Sequence, residues 1–322
     1  MVYIPFPRTD LDNDSDLTDW RNKNPKNEGD WTALKPFLAK QPRLAENIHP
    51  IPKCWYTELP QGDDFATDVE HFRPKNQASP LSNKQLKILK QKTRFDLRQN
   101  AVEGAYHWLE FDYRNYRLVT ALPNRGGGKH IYFPIAERTT RLVNGQFSWS
   151  TNEHPYFLDP TNPDDAALLI VIPNGEITPS SPKMPLNETD FDGLPATWQS
   201  DGFKYMRAEA TILVYRLNDK IFQAGRREVY AKTNDLLERL RYCLPDDDNR
   251  LIHLKDGFIQ DLTLMALPSA PFALAARCAL MAYLPPNDLP DNIKQKLESI
   301  VHQILNRIAQ EVNSKTISWE NQ

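Results

Sequence analysis

Over the first fifty residues polar positions outnumber apolar ones, and Trp20 and Trp31 stand among charged neighbours. This stretch reads as an extended lead-in with short helices around 31–40. From Ile51 to about Glu176 the pattern changes to short segments of β character: FATDVEHF (65–72), YRLVTAL (116–122), HIYFPI (130–135) and ALLIVI (167–172), set apart by Pro, Gly and Asn clusters. Between the first two, SNKQLKILKQKTRFDLRQ (82–99) predicts a basic helix with Leu86, Leu89 and Leu97 as a thin apolar edge. Beyond residue 200 the period is helical, from Tyr205 through Leu240 and from Phe258 to Tyr283. A last amphipathic stripe runs through Ile293, Leu297, Ile300, Val301, Ile304, Leu305, Ile308 and Val312. LPDDDN (244–249) and LPPNDLP (284–290) act as breakers between these helices. The pattern predicts an α+β protein in three parts: an N-terminal extension (1–50), an α+β domain (51–180) with a basic insert (76–104), and a helical domain (190–322).

Composition narrows the class. With 40% hydrophobic and 25% charged residues the chain has enough apolar material for a core. Its longest apolar runs fall short of the ~20 residues a membrane span needs. The opening MVYIPFPRTD lacks the basic start and apolar run of a secretory signal, and three cysteines are too few for a disulfide framework, so a cytoplasmic location is expected. A net charge of −3 gives no general attraction for nucleic acid, so any such binding must be local. It has one local source: between 69 and 98, eight Lys and Arg stand against Glu70 and Asp96, a balance of +6. Alone, such a helix is most simply a solvated face; beside the motifs described next, it favours phosphate contact.

Three pieces carry candidate chemistry: Asp68-Val69-Glu70-His71-Phe72-Arg73-Pro74, Asp112-Tyr113-Arg114-Asn115-Tyr116-Arg117-Leu118, and Pro123-Asn124-Arg125-Gly126-Gly127-Gly128-Lys129. Phosphodiester hydrolysis needs a base for water and positive charge on the scissile phosphate. Here Glu70 and Asn124 are candidate ligands of a Mg²⁺ or Mn²⁺ ion, His71 the candidate general base, and Asn115 the amide that orients it. Arg73, Lys75, Arg117, Arg125 and Lys129 are candidate nucleic-acid contacts. Strict strand alternation sends Glu70 and His71 to opposite faces, so the strand has to end or bulge there, before Pro74. The glycine run lacks the Walker pattern and reads as a loop letting amides and Lys129 approach a phosphate. His130 and His154 are more simply structural than ligands, His107 reads as packing in an aromatic cluster, and Cys243 and Cys278 as small hydrophobes.

These residues resemble the HNH nucleases, which have a ββα-metal core: an acidic residue and a histidine adjacent on the first strand, then two asparagines nine residues apart, as Asn115 and Asn124 are here. More narrowly, KCWYTE (53–58), DVEHFRPK (68–75), YHWLEFDYRNYRLV (106–119), NRGGGK (124–129), YFPI (132–135) and PYFLDP (155–160) are similar to the HNH subunit of Septu-type and retron-associated anti-phage systems. RAEATILVYRLN (207–218) and APFALAARCAL (270–280) extend the similarity. The resemblance implies a DNA-cleaving defence effector that works with an ABC-type ATPase supplied by another chain. Many relatives hold a structural zinc with two CxxC pairs; of those four positions only Cys54 is a cysteine here. No structural zinc is therefore expected, with Trp55, Tyr56 and Leu122 packing in its place. Two other readings use the same residues: a catalytically silent scaffold derived from such a nuclease, and an RNase.

Overall fold

The computed structural model describes residues 1–6, 13–42, 52–61, 67–125, 127–143, 153–244 and 249–313. Gly126, Phe65 and the acidic residues of 245–248, all used in the sequence reading, lie outside them. Among the described residues the helices in chain order are α1 (Ser15–Asn22), α2 (Lys35–Lys40), α3 (Asn83–Thr93), α4 (Ala121–Asn124), α5 (Pro163–Ala166), α6 (Glu188–Asp192), α7 (Asp201–Val214), α8 (Lys220–Tyr242), α9 (Asn249–Ala266), α10 (Ala273–Ala282) and α11 (Asp291–Asn313). The strands are β1 (Thr67–His71), β2 (Tyr116–Thr120), β3 (Leu169–Val171) and β4 (Ile177–Pro179).

β1 and β2 pair antiparallel, with Thr67 opposite Thr120, Glu70 opposite Arg117 and His71 opposite Tyr116. All five residues of β2 are buried, so this pair lies within the core. A 3₁₀ turn at Tyr113–Asn115 precedes β2, and the single-turn helix α4 follows it without a linker, completing a β-β-helix unit. The 44 residues between the two strands contain the insert. There Ser82 caps α3 with Gln85 returning the bond, Leu89 is fully buried, and Arg94 in the left-handed region (φ 70°) stops the helix well before residue 99. HIYFPI (130–135) forms isolated bridges, Ser79 with Tyr132 and Ile135 with Pro155, instead of a strand. Pro134 has no N–H to extend a ladder.

The first fifty residues are more than a lead-in. Ile4, Phe6, Trp20, Phe37 and Leu38 are buried in the main core; the Ile4 amide donates to the Pro160 carbonyl (2.8 Å), and Phe6 meets Trp55 edge-on at 5.2 Å. A 3₁₀ turn at Asp30–Leu34 lies against β1.

Nor does the main core stop near residue 180. Phe203, Met206 and Val214 of α7 belong to it, Tyr215 stacks on Tyr56 (3.9 Å), and the Leu158 amide donates to the Thr211 hydroxyl (2.9 Å). A second core joins α8, α9, α10 and α11 and takes in Ile293, Leu297, Val301, Ile304, Ile308 and Val312, the stripe read from the sequence. Each of the two longer helical stretches is broken once, at 215–219 and 267–272. The second break is a close fit: Gly225 in α8 leaves room for the Phe272 ring, which a Cβ there would meet at 2.3 Å. No described helix is long and apolar enough to cross a membrane.

Candidate active site

β1 ends on His71, with no bulge among its paired residues, so successive side chains leave it in opposite senses. Asp68 and Glu70 take one side. Asn124 Nδ2 (3.1 Å) and the Arg125 guanidinium (2.5 and 2.8 Å) donate to the Asp68 carboxylate, and Glu70 is ion-paired with the buried ammonium of Lys129. Lys129 also donates to the His71 carbonyl (2.6 Å), so one side chain braces two consecutive residues at the strand's end. Burial pushes the Glu70 carboxyl up and the Lys129 ammonium down, and each partner's charge pulls the other back toward its ionised form.

His71 takes the other side. Its ring meets Trp31 and Tyr116 edge-on, each at 5.0 Å, and its Nε2 lies 2.9 Å from the carbonyl oxygen of Glu110. A carbonyl oxygen only accepts, so Nε2 carries the proton. Burial, helped by the charges of Lys129 and Lys75 and opposed by the Glu110 carbonyl, lowers the His71 pKa to about 4. The ring is therefore neutral near pH 7 and its lone pair is on Nδ1. The fixed tautomer leaves Nδ1 as the one nitrogen of the ring that can take a proton, while a pKa lowered to about 4 makes it a weak base near pH 7.

Asn115 makes no hydrogen bond to this ring. Its Oδ1 accepts from the Arg73 amide (2.9 Å), its Nδ2 donates to the Arg73 carbonyl (3.0 Å), and its own carbonyl accepts from the Phe72 amide (2.8 Å). Its Nδ2 also reaches the Leu109 carbonyl (3.5 Å), so Asn115 clips the chain leaving His71 to the residue before Glu110 and positions the imidazole through the backbone.

Three expected phosphate contacts are corrected. Arg73 is buried against Glu153 (2.8 Å), Arg117 against Asp159 (2.5 Å) with only 1% of its side chain exposed, and Lys129 against Glu70. Their charges are already matched inside the protein. Lys75 is held by Glu110 (2.7 Å) and Glu28 (3.2 Å) and lies 3.8 Å above the Trp31 ring; Arg125 is exposed. His107 is exposed as well, not packed, whereas His154 is buried against Trp198 and Cys243 and Cys278 are buried. Trp55 and Tyr56 are fully buried as expected, but Leu122 is 37% exposed because α4, a single turn, directs only Pro123 inward.

Glu70, Asn124 and neighbouring Asp68 place side-chain oxygens on one side of β1, but Lys129 already neutralises Glu70, and Asn124 Nδ2 and Arg125 occupy Asp68, so a divalent ion could take these oxygens only by displacing those partners. Among the described residues no three His, Cys, Asp or Glu side chains converge to enclose an ion. Sequence reasoning missed the Glu110 carbonyl, which has no side-chain signature, and the cover that Trp31 provides. Comparison with known proteins finds no matching family model, curated protein or solved structure.

Proposed function

We propose that this chain is a metal-dependent endonuclease of the HNH type that hydrolyses DNA phosphodiester bonds, an effector of anti-phage defence working with an ABC-type ATPase. The observation that carries the chemistry is the His71–Glu110 hydrogen bond. Nδ1 of the neutral ring takes a proton from water as it attacks phosphorus, and the Glu110 carbonyl holds the Nε2 proton of the imidazolium so formed. Glu70 and Asn124 would hold a Mg²⁺- or Mn²⁺-class ion, which when bound neutralises charge on the phosphate and leaving oxygen; this requires Lys129 to release Glu70 and the end of β1 to rearrange, since His71 leaves the strand on the other side. Asn115 is a positioning residue. The defence role and the ATPase rest on the sequence resemblance alone.

Plasmid cleavage with Mg²⁺ or Mn²⁺, with and without a candidate ATPase, tests this reading: wild type should nick or linearise DNA, and His71→Ala should not. A folded His71→Ala variant that cuts normally would end the assignment. One observation favours the silent scaffold instead, the matching of Glu70 by Lys129 within the core. Wild type that cuts neither DNA nor RNA under any of these conditions would support that reading.

A further inference from the structure

A cleft of about 470 Å³ opens beside this site, between the start of α3 and the loop that follows α4. Lys84 and Ile88 of α3, Gly127, His130 and Tyr132 of the loop, and Val214 at the end of α7 line it. We propose that it receives one unpaired nucleotide of the substrate strand, so that the enzyme selects single-stranded or locally opened DNA. The proposal rests on the nuclease reading for its meaning, but it is measured by binding alone.

The lining pairs positive and hydrogen-bonding groups with apolar ones. Lys84 is exposed and forms no ion pair among the described residues, whereas Lys90 is matched by Asp96, Lys92 by Glu209 and Arg98 by Glu137. Of the insert's positive charge, then, part is neutralised within the protein, and Lys84 keeps its charge for a ligand at the cleft. The exposed imidazole of His130 lines the same cleft. Ile88, Tyr132 and Val214 offer the apolar and aromatic surface a base needs when it leaves its stack. The volume lies within the range of ~300–1,000 Å³ typical of small-molecule sites, which suits one nucleotide.

The loop is built to hold this shape. Gly127 has φ +91°, and a Cβ on Gly128 would sit 2.2 Å from the Pro123 carbonyl oxygen. His130 is held in the left-handed region (φ 43°), with its amide donating to the Asn124 carbonyl (2.8 Å). Asn124 is a candidate ion ligand, and Lys129, between Gly128 and His130, grips Glu70. A nucleotide in the cleft therefore lies one loop away from the side of β1 that carries the acidic residues. In a duplex a base is paired and stacked, and it can enter only after extrusion, which costs a few kcal/mol.

The test is fluorescence anisotropy of a labelled 12-nucleotide DNA strand and of its duplex, using the full chain in EDTA so that no cleavage occurs. The single strand should bind more tightly than the duplex. Lys84→Glu and Ile88→Asp, both at exposed positions, should each weaken single-strand binding about tenfold, the scale of one lost phosphate or stacking contact. Equal binding of both forms, or single-strand binding unaffected by both variants, overturns the proposal. Competition with a nucleoside monophosphate separates sources: displacement by it with no measurable oligonucleotide binding would also overturn the strand assignment. Selective single-strand binding without any cleavage keeps the cleft and rejects the nuclease; cleavage without strand selectivity does the reverse.

Discussion

Glu70 and Lys129 are out of water, so each depends on the other's charge. Lys129→Met should destabilise the protein by ~3–5 kcal/mol, the range for a buried pair broken on one side, and the double variant Glu70→Leu/Lys129→Met should recover much of that loss. Chemical denaturation of these proteins and of Glu70→Leu checks this; a double variant that loses the sum of the two single losses would show the pair to be independent. His71 gives a second prediction at this scale. Its pKa falls from 6.5 in the unfolded chain to about 4 in the fold, so between these values the unfolded state binds the extra proton. The sign follows: no penalty above pH 6.5, and a progressive loss of stability as pH falls toward 4, on the order of 3 kcal/mol in total. His71→Gln, measured alongside wild type without added metal, should lose less over that interval.

At the level of elements, the 3₁₀ turn at Asp30–Leu34 brings Trp31 over His71, and Lys75 lies against the far side of that indole. Since burial is the largest cause of the lowered pKa, Trp31→Ala should raise the His71 pKa toward its ordinary value, which a proton NMR titration of the imidazole reads directly. An unchanged titration would place the desolvation elsewhere. The elements themselves were partly legible in the sequence. Period-two patterning located β1, β2 and β3, and the stripe from Ile293 to Val312 gave the buried face of α11. Patterning failed at 130–135, where Pro134 interrupts pairing, and at the end of α3, where a left-handed Arg94 gives no warning in composition. In the site, the adjacency of Glu70 and His71 and the two asparagines were readable. The internal partners of Arg73 and Arg117 were not, because Glu153 and Asp159 lie 80 and 42 residues away in the chain and only folding brings them near.

For the molecule as a whole, the main core draws on the N-terminal segment, the β-β-helix unit and α7 together. The sequence pattern divides the chain at 1–50, 51–180 and 190–322; the packing argues against independent folding of residues 1–189. Removing 190–322 strips Phe203, Met206 and Tyr215 from the core and the Thr211 hydroxyl from the Leu158 amide. Such a truncation should lack a cooperative thermal transition and be digested rapidly by protease, whereas a resistant fragment ending near residue 189 would contradict the shared core. Loss of partner binding by that truncation would accordingly say nothing about where a partner docks.

The buried ion pairs around β1 and β2 also bear on how this protein can diverge. Lys129 with Glu70, Arg73 with Glu153 and Arg117 with Asp159 tie residues of the strand region to distant stretches of chain. A lone change at any of these six positions strands a charge in the core, so the accessible route from one functional sequence to another passes through simultaneous or compensated replacements. Descendants of this gene should therefore inherit these residues as couples, kept together or exchanged together.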